Sequence, residues 1–206
     1  SDPIGGDAAV QGTDRRPLRF SRVRLKNRCY LPLMNERRLH IGGESPKDGW
    51  EILNVQAGPD VDHVGSCTDL SRFADASVTE IYASHVLEHL TYADELPRAL
   101  SECRRVLAAS GRLMISVPDL EKLAATYVKP GISADSRLQI MRVMFGGQTD
   151  AYDLHKCGFS YDTLCLFLAQ AGFREAAQVE RFGLFPDSSD LKIDGSYLSL
   201  NVVATV

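Results

Sequence analysis

EIYASHVLEHL, residues 80–90, and RVLAASGRLMISVPDLE, residues 105–121, decide the fold of this chain between them, joined by a helical spacer. They read as strand, loop, helix, turn, strand. The first strand, Thr79–Ser84, stops at a cluster of His85, Glu88 and His89; the second, Arg112–Val117, stops at Pro118-Asp119. Two successive strands that end in titratable residues suggest an open α/β sheet whose carboxyl edge carries the chemistry, since ligands bind at that edge in such sheets.

Working outward, short apolar runs predict strands at Arg38–Ile41, Glu51–Val55 and Val61–Val64 before this block, and at Val179–Phe182 and Leu198–Thr205 after it. Helical spacing of Leu96, Ala99, Leu100, Cys103 and Leu107 predicts a helix over Asp94–Leu107. Further helices are expected at Leu120–Tyr127, Ser136–Phe145 and Ser160–Ala171, the last capped by Ser160 and ended by Gly172. Alternating β and α elements imply a mostly parallel sheet with helices on both faces. Only about nine residues part the first two strands, where a crossover needs roughly ten to twelve. The first helix is therefore expected to be a single turn or nearly absent.

The chain has 206 residues, 44 % apolar and 24 % charged, which fits one sizeable globular core. A net charge of −4 leaves no basic footprint for nucleic acid, and no apolar run is long enough for membrane insertion. With no basic-then-apolar leader and five cysteines at irregular spacing, the expectation is a cytoplasmic protein with reduced thiols. Residues 1–17, rich in Gly, Asp and Pro, read as a disordered leader or an expression remnant; residues 18–34 read as an added edge strand or covering segment. Residues 18–206 are then a single domain.

Five segments in order carry a family likeness: LHIGGESPKDGWEILNVQAGPDVD, VGSCTDLSRFADASVTEIYASHVLEHL, RVLAASGRLMISVPDLEKL, MRVMFGGQTDAYDLHKCGF and LSLNVVA. Over roughly residues 38–206 the chain resembles class I S-adenosylmethionine (SAM)-dependent methyltransferases, and among them the small methyltransferases found with glycan-assembly genes. The resemblance implies a Rossmann-like, seven-stranded sheet, six strands parallel and the last antiparallel, with a lid-like insertion at about residues 120–158. It implies SAM as cofactor and O-methylation of a small-molecule or glycan-like acceptor. A catalytically inactive module that binds a glycan or a partner protein is the alternative.

Carried over residue by residue, His40, Gly42 and Gly43 stand at the glycine-rich turn after strand one, where the amino-acid end of SAM approaches. Asn54 and Gln56 stand at the end of strand two, the usual place of the acid that holds the ribose. Ser66, Cys67, Asp69 and Leu70 follow strand three, near the adenine, and Ser84 and His85 end strand four. Three positions depart from the pattern: Glu44 replaces a third glycine and is available to the ammonium of SAM, Gln56 replaces the ribose acid, and Ser66 the adenine aspartate.

His85, Glu88 and His89 share one face if their segment is helical, and two imidazoles with one carboxylate can bind a divalent metal. Alternatively His89 or His85 is a general base for an acceptor hydroxyl, or the cluster is structural. Asp119 either orients the acceptor or caps the helix that begins at Leu120. Tyr152, Asp153, His155 and Lys156, after the flexible Gly146-Gly147 pair, are candidate acceptor contacts on the lid.

Overall fold

The computed structural model describes residues 36–193 and 196–206, so the readings made for residues 1–34 lie outside the described residues. Five strands run in parallel order through the first half: β1 (Arg38–Ile41), β2 (Trp50–Asn54), β3 (His63–Val64), β4 (Val78–Ser84) and β5 (Leu107–Pro118). Two more, β6 (Glu175–Val179) and β7 (Ser199–Thr205), complete one sheet of order β3-β2-β1-β4-β5-β7-β6. β7 is antiparallel to both β5 and β6, which makes it the one reversed strand of seven, as expected. The expected sixth strand, Val179–Phe182, lies four residues earlier. Ala176 packs inward from the alternating EAAQV run, and Phe182 is left to cover the sheet.

Period-two alternation sorts the strands into two faces. Leu39, Ile41, Leu53, Ile81, Ala83, Leu113, Ile115, Val117, Leu200, Val202 and Ala204 point to one side. There they meet α1 (Glu95–Val106) and α4 (Tyr161–Gln170). In α1, Leu96, Ala99, Leu100, Cys103 and Val106 form the buried stripe; Leu107, expected to close that helix, has β backbone and opens β5 instead. Ser160 and Thr163 form a reciprocal capping box that starts α4. Arg105 ties α1 to the β3–β4 connection, donating to the Leu70 and Phe73 carbonyls.

Helices flank the sheet unequally. On the opposite face, among the described residues, the cover is the irregular segment 182–191 rather than a helix. Phe185 inserts among Trp50, Tyr82 and Met114, with Phe182 and Leu184 beside it. α2 (Leu120–Tyr127) and α3 (Ala134–Phe145) pack on each other through Leu123 and Ile140, over Leu198 at the sheet's carboxyl edge. No helix joins β1 to β2. A short irregular connection, residues 42–49, does so, and Gly42 N–H donating to the Leu53 carbonyl extends the parallel β1–β2 ladder into it.

Candidate active site

The strand order reverses between β1 and β4, and in a doubly wound sheet that switch point opens a crevice at the carboxyl ends. A cavity of about 670 Å³ lies there. It is lined by His40, Gly42, Gly43, Glu44, Ser84 and His85 from the strand ends, and by Phe185, Asp187, Asp190 and Leu191 from segment 182–191. A second depression of about 620 Å³ on the outer side of α1 takes in Asp69 and Arg105 but none of the strand-end histidines. The switch-point cavity is therefore the candidate site.

The turn after β1 is shaped by the protein's own packing. Gly42 has φ +75, and a Cβ there would fall 2.4 Å from Val86 Cγ2; a Cβ on Gly43 would fall 2.4 Å from His40 Nδ1. Glycine is required at both positions by these neighbours, before any ligand is considered. The His40 ring sits 3.9 Å from that of Phe185, and burial drops its pKa to about 4 against a smaller opposing pull from Asp187. It is neutral at physiological pH. Tyr82 stacks on Phe185 and donates its hydroxyl to Asp187 at 2.8 Å; burial, aided by Asp187, lifts its pKa to about 12. Asp190 is paired with Arg181. Glu44 is exposed beside these groups, so the cavity is lined by acids and aromatic rings.

The remaining predicted cofactor residues lie outside this lining. Asn54 is adjacent, its amide donating to the Gly43 carbonyl at 3.1 Å, so it holds the turn. Gln56 is exposed, and Ser66 bonds Thr68. Cys67 and Leu70 are core residues; burial lifts the Cys67 thiol to about 11. The Asp69 carboxylate is exposed and held low by hydrogen bonds from Ser71. Tyr82, Phe185, Asp187 and Asp190 are not among the residues that the sequence motifs mark. The aromatic and acidic run FGLFPDSSD, and the inward register of Tyr82 on β4, are the signals that point to them.

After β4 the chain turns sharply. His85 has φ +53, an uncommon left-handed conformation for a side-chain-bearing residue, and only Leu87–His89 form a short 3₁₀ turn. The α-helical spacing assumed for His85, Glu88 and His89 is thus not realised, and the three do not form one ligand face. His85 faces the cavity, with Nε2 3.1 Å from Ser199 Oγ and Nδ1 3.1 Å from Glu88 Oε1. The second contact is close enough for an ion pair but off the line of a good hydrogen bond. Neither Glu88 oxygen has a hydrogen-bond partner among the described residues, although the side chain is fully buried. Burial alone would raise the Glu88 carboxyl; its contacts with His85, together with its own backbone N–H and the nearby His89, hold it below the usual range.

His89 Nδ1 lies 3.2 Å from the Leu154 carbonyl, and its ring meets that of His155 edge-on at 4.7 Å. The loop after α3 reaches Glu88 by its backbone: Lys156 and Cys157 N–H both donate to the Glu88 carbonyl. Of the four residues expected to touch acceptor, Asp153 instead folds the loop, accepting from Gly147, Thr149 N–H and the Thr149 hydroxyl. The Thr149 hydroxyl is the main cause of its lowered pKa. Lys156 pairs with Glu95 at 3.0 Å, and Tyr152 is exposed. His155 is half-buried; desolvation lowers its pKa against the pull of Glu88. Asp119 caps α2, accepting from Lys122 N–H and pairing with Lys122 Nζ at 3.0 Å, so its carboxylate is engaged in the capping role.

Residues 51–115, from β2 through β5, match the family profile of a methyltransferase domain. No curated protein matches the chain. A SAM-dependent methyltransferase from Archaeoglobus fulgidus superposes with a TM-score of 0.52 at 16% identity, over 83% of this chain and 86% of that one. A methyltransferase solved in complex with the Haloferax volcanii Trm112 activator gives 0.50 at 16% identity, over 83% and 82%. The trans-methyltransferase CalH, solved with S-adenosylhomocysteine (SAH), gives 0.50 at 17% identity and 84% coverage; the chain spans 51% of CalH's length. Likeness at this level is a likeness of fold.

Proposed function

We infer that this chain, a class I SAM-dependent methyltransferase in fold and, over residues 51–115, in sequence, transfers a methyl group from SAM to the oxygen of a small, hydroxyl-bearing acceptor, glycans included. The observation that carries the reading is the switch-point cavity. Its volume of about 670 Å³ lies within the usual range for cofactor and small-molecule pockets.

The residues present suit a cationic nucleoside ligand. Glu44, with no ion partner among the described residues, offers a carboxylate to an ammonium group, and Asp187 adds negative potential across the cavity. His40 and Phe185 give an aromatic surface beside them. SAM, when bound, supplies an electrophilic methyl group. The chain's part is to hold the acceptor in line and to remove its proton.

Of the two histidines considered as base, His85 lines the cavity and His89 does not. Glu88 sits at the Nδ1 side of His85 and favours the tautomer that carries its proton there. Nε2 then holds the lone pair and can accept a hydrogen bond from the Ser199 hydroxyl at 3.1 Å, in place of the longer 3.5 Å bond from that hydroxyl to the Ser188 carbonyl. An acceptor hydroxyl that displaces Ser199 from Nε2 can pass its proton to His85.

Calorimetric titration with SAM and with SAH tests the cofactor assignment. Saturable binding of both ligands is expected; no heat at about 100 µM protein and millimolar ligand refutes it, since affinities weaker than that leave only about 4 kcal/mol of binding free energy.

A further inference from the structure

We propose that Glu88, His89 and His155 form a binding site for one divalent transition-metal ion of the zinc class. One ligand atom from each of the three lies within 4.8 Å of the others. That arrangement joins two segments well apart in the chain, and excludes His85 from the set that its spacing suggested.

Three independent features point to an ion rather than to a chance cluster. The Glu88 carboxylate is fully buried, yet neither oxygen accepts a hydrogen bond from any described residue. A buried carboxylate is costly unless it is paired or coordinates a metal, and among the described residues its ion-pair contact, with His85 at 3.1 Å, engages Oε1 alone. His155 Nδ1 is likewise buried with no partner among the described residues. His89 is oriented from behind: Nδ1 donates to the Leu154 carbonyl at 3.2 Å, which leaves the lone pair on Nε2. A backbone carbonyl on the far nitrogen is the usual way a ligating imidazole is fixed in tautomer and direction.

The scaffold holds the set from two sides. The 3₁₀ turn Leu87–His89 presents Glu88 and His89, and the paired Lys156 and Cys157 N–H bonds to the Glu88 carbonyl bring in His155. Two imidazoles and one carboxylate are a borderline donor set that suits zinc, cobalt or iron better than magnesium or calcium. Three protein ligands leave a position open for water or an oxygen ligand. His85, 3.1 Å from the same carboxylate, connects the ion to the cavity wall.

Ion binding is read without turnover, so it stands or falls separately from methyl transfer. The 206-residue chain, stripped with a chelator, is titrated with Co²⁺ and Zn²⁺, by calorimetry and by the visible absorption of bound cobalt. One equivalent is expected to bind, with a raised melting temperature and a tetrahedral or five-coordinate cobalt spectrum. His155→Ala and His89→Ala should each weaken binding on the order of a hundredfold, since even loss of an outer-shell partner costs about tenfold to a hundredfold. His85→Ala should keep the one-to-one stoichiometry. Should a histidine variant unfold, Glu88→Gln, which preserves shape, replaces it. Absence of saturable binding to the wild type at about 100 µM metal overturns the proposal, and so does wild-type affinity in His155→Ala.

Discussion

Replacing Phe185 by alanine tests how the second face of the sheet is closed. The ring is 5 % exposed and touches His40, Tyr82 and Trp50 at centroid distances of 3.9, 5.3 and 5.5 Å. An aromatic side chain buries about 150–250 Å², worth roughly 4–6 kcal/mol at about 25 cal/mol per Å². Phe→Ala substitutions in cores cost about 3–5 kcal/mol. Phe185 lines an open cavity, so water can fill part of the void, and the lower value of about 3 kcal/mol is expected. For a domain of this size that corresponds to a fall in Tm of about 6–12 °C. The loss should also depend on pH. His40 has a folded pKa of about 4 against an ordinary value of 6.5, because it is buried under this ring. The unfolded chain therefore takes up the proton first, and the stability associated with neutral His40 is complete above pH 6.5 and declines as pH falls toward 4. Between pH 7.5 and 5 the wild type gives up about 2 kcal/mol through His40, at 1.36 kcal/mol per pKa unit. In Phe185→Ala the imidazole is hydrated and gives up less. Urea unfolding of both proteins at the two pH values should show the gap shrinking by about 1–2 kcal/mol at pH 5, other titrating groups cancelling in the comparison. A gap below about 1 kcal/mol, or one that does not change with pH, refutes the packing of segment 182–191 on His40.

Two further substitutions probe the strand-end turn and the cap. His85→Gly should be about 1 kcal/mol more stable to urea than His85→Ala, because only glycine meets φ +53 without strain; a base role further predicts that both lose about 10²-fold or more in turnover. Asp119→Ala should cost about 1 kcal/mol, with Asp119→Asn nearer to wild type, as expected of a helix cap and not of an acceptor contact.

The parallel half of the sheet is legible in the sequence because its longer strands are short apolar runs, and β4 and β5 are buried on both faces near their carboxyl ends, as central parallel strands are. The short β1–β2 connection leaves no room for a first helix. The sixth strand lies away from its expected place because Ala176 and Ala177 give a weak pattern beside the more apolar Phe182. At the site, local motifs mark the turn after β1 and the end of β4. His155 is marked only as a lid residue: its meeting with Glu88 depends on backbone bonds between distant segments of the chain. The helical spacing of His85, Glu88 and His89 misleads for a local reason. The left-handed backbone at His85 takes that residue out of the helical period, so i, i+3, i+4 arithmetic does not apply.

That same backbone reversal gives the site its division of labour. Without it, residues 85–89 would continue one face, and the imidazoles would compete for one carboxylate. With it, His85 faces the cavity at the switch point, while the following turn presents His89 toward the lid loop. Glu88 lies between the two, fully buried, 3.1 Å from His85 on one side and within the cluster with His155 on the other. A buried carboxylate has few ways to satisfy its charge, so a group that engages it from the loop side shares it with His85. The loop after α3, fixed by Lys156 and Cys157 N–H on the Glu88 carbonyl, thereby brings His155 to the carboxylate that His85 also contacts. On the proposed function, Glu88→Gln, which removes the charge and keeps the shape, should lower turnover while SAM affinity, read by calorimetry, stays near wild type; unchanged turnover would refute a role for Glu88 in orienting His85.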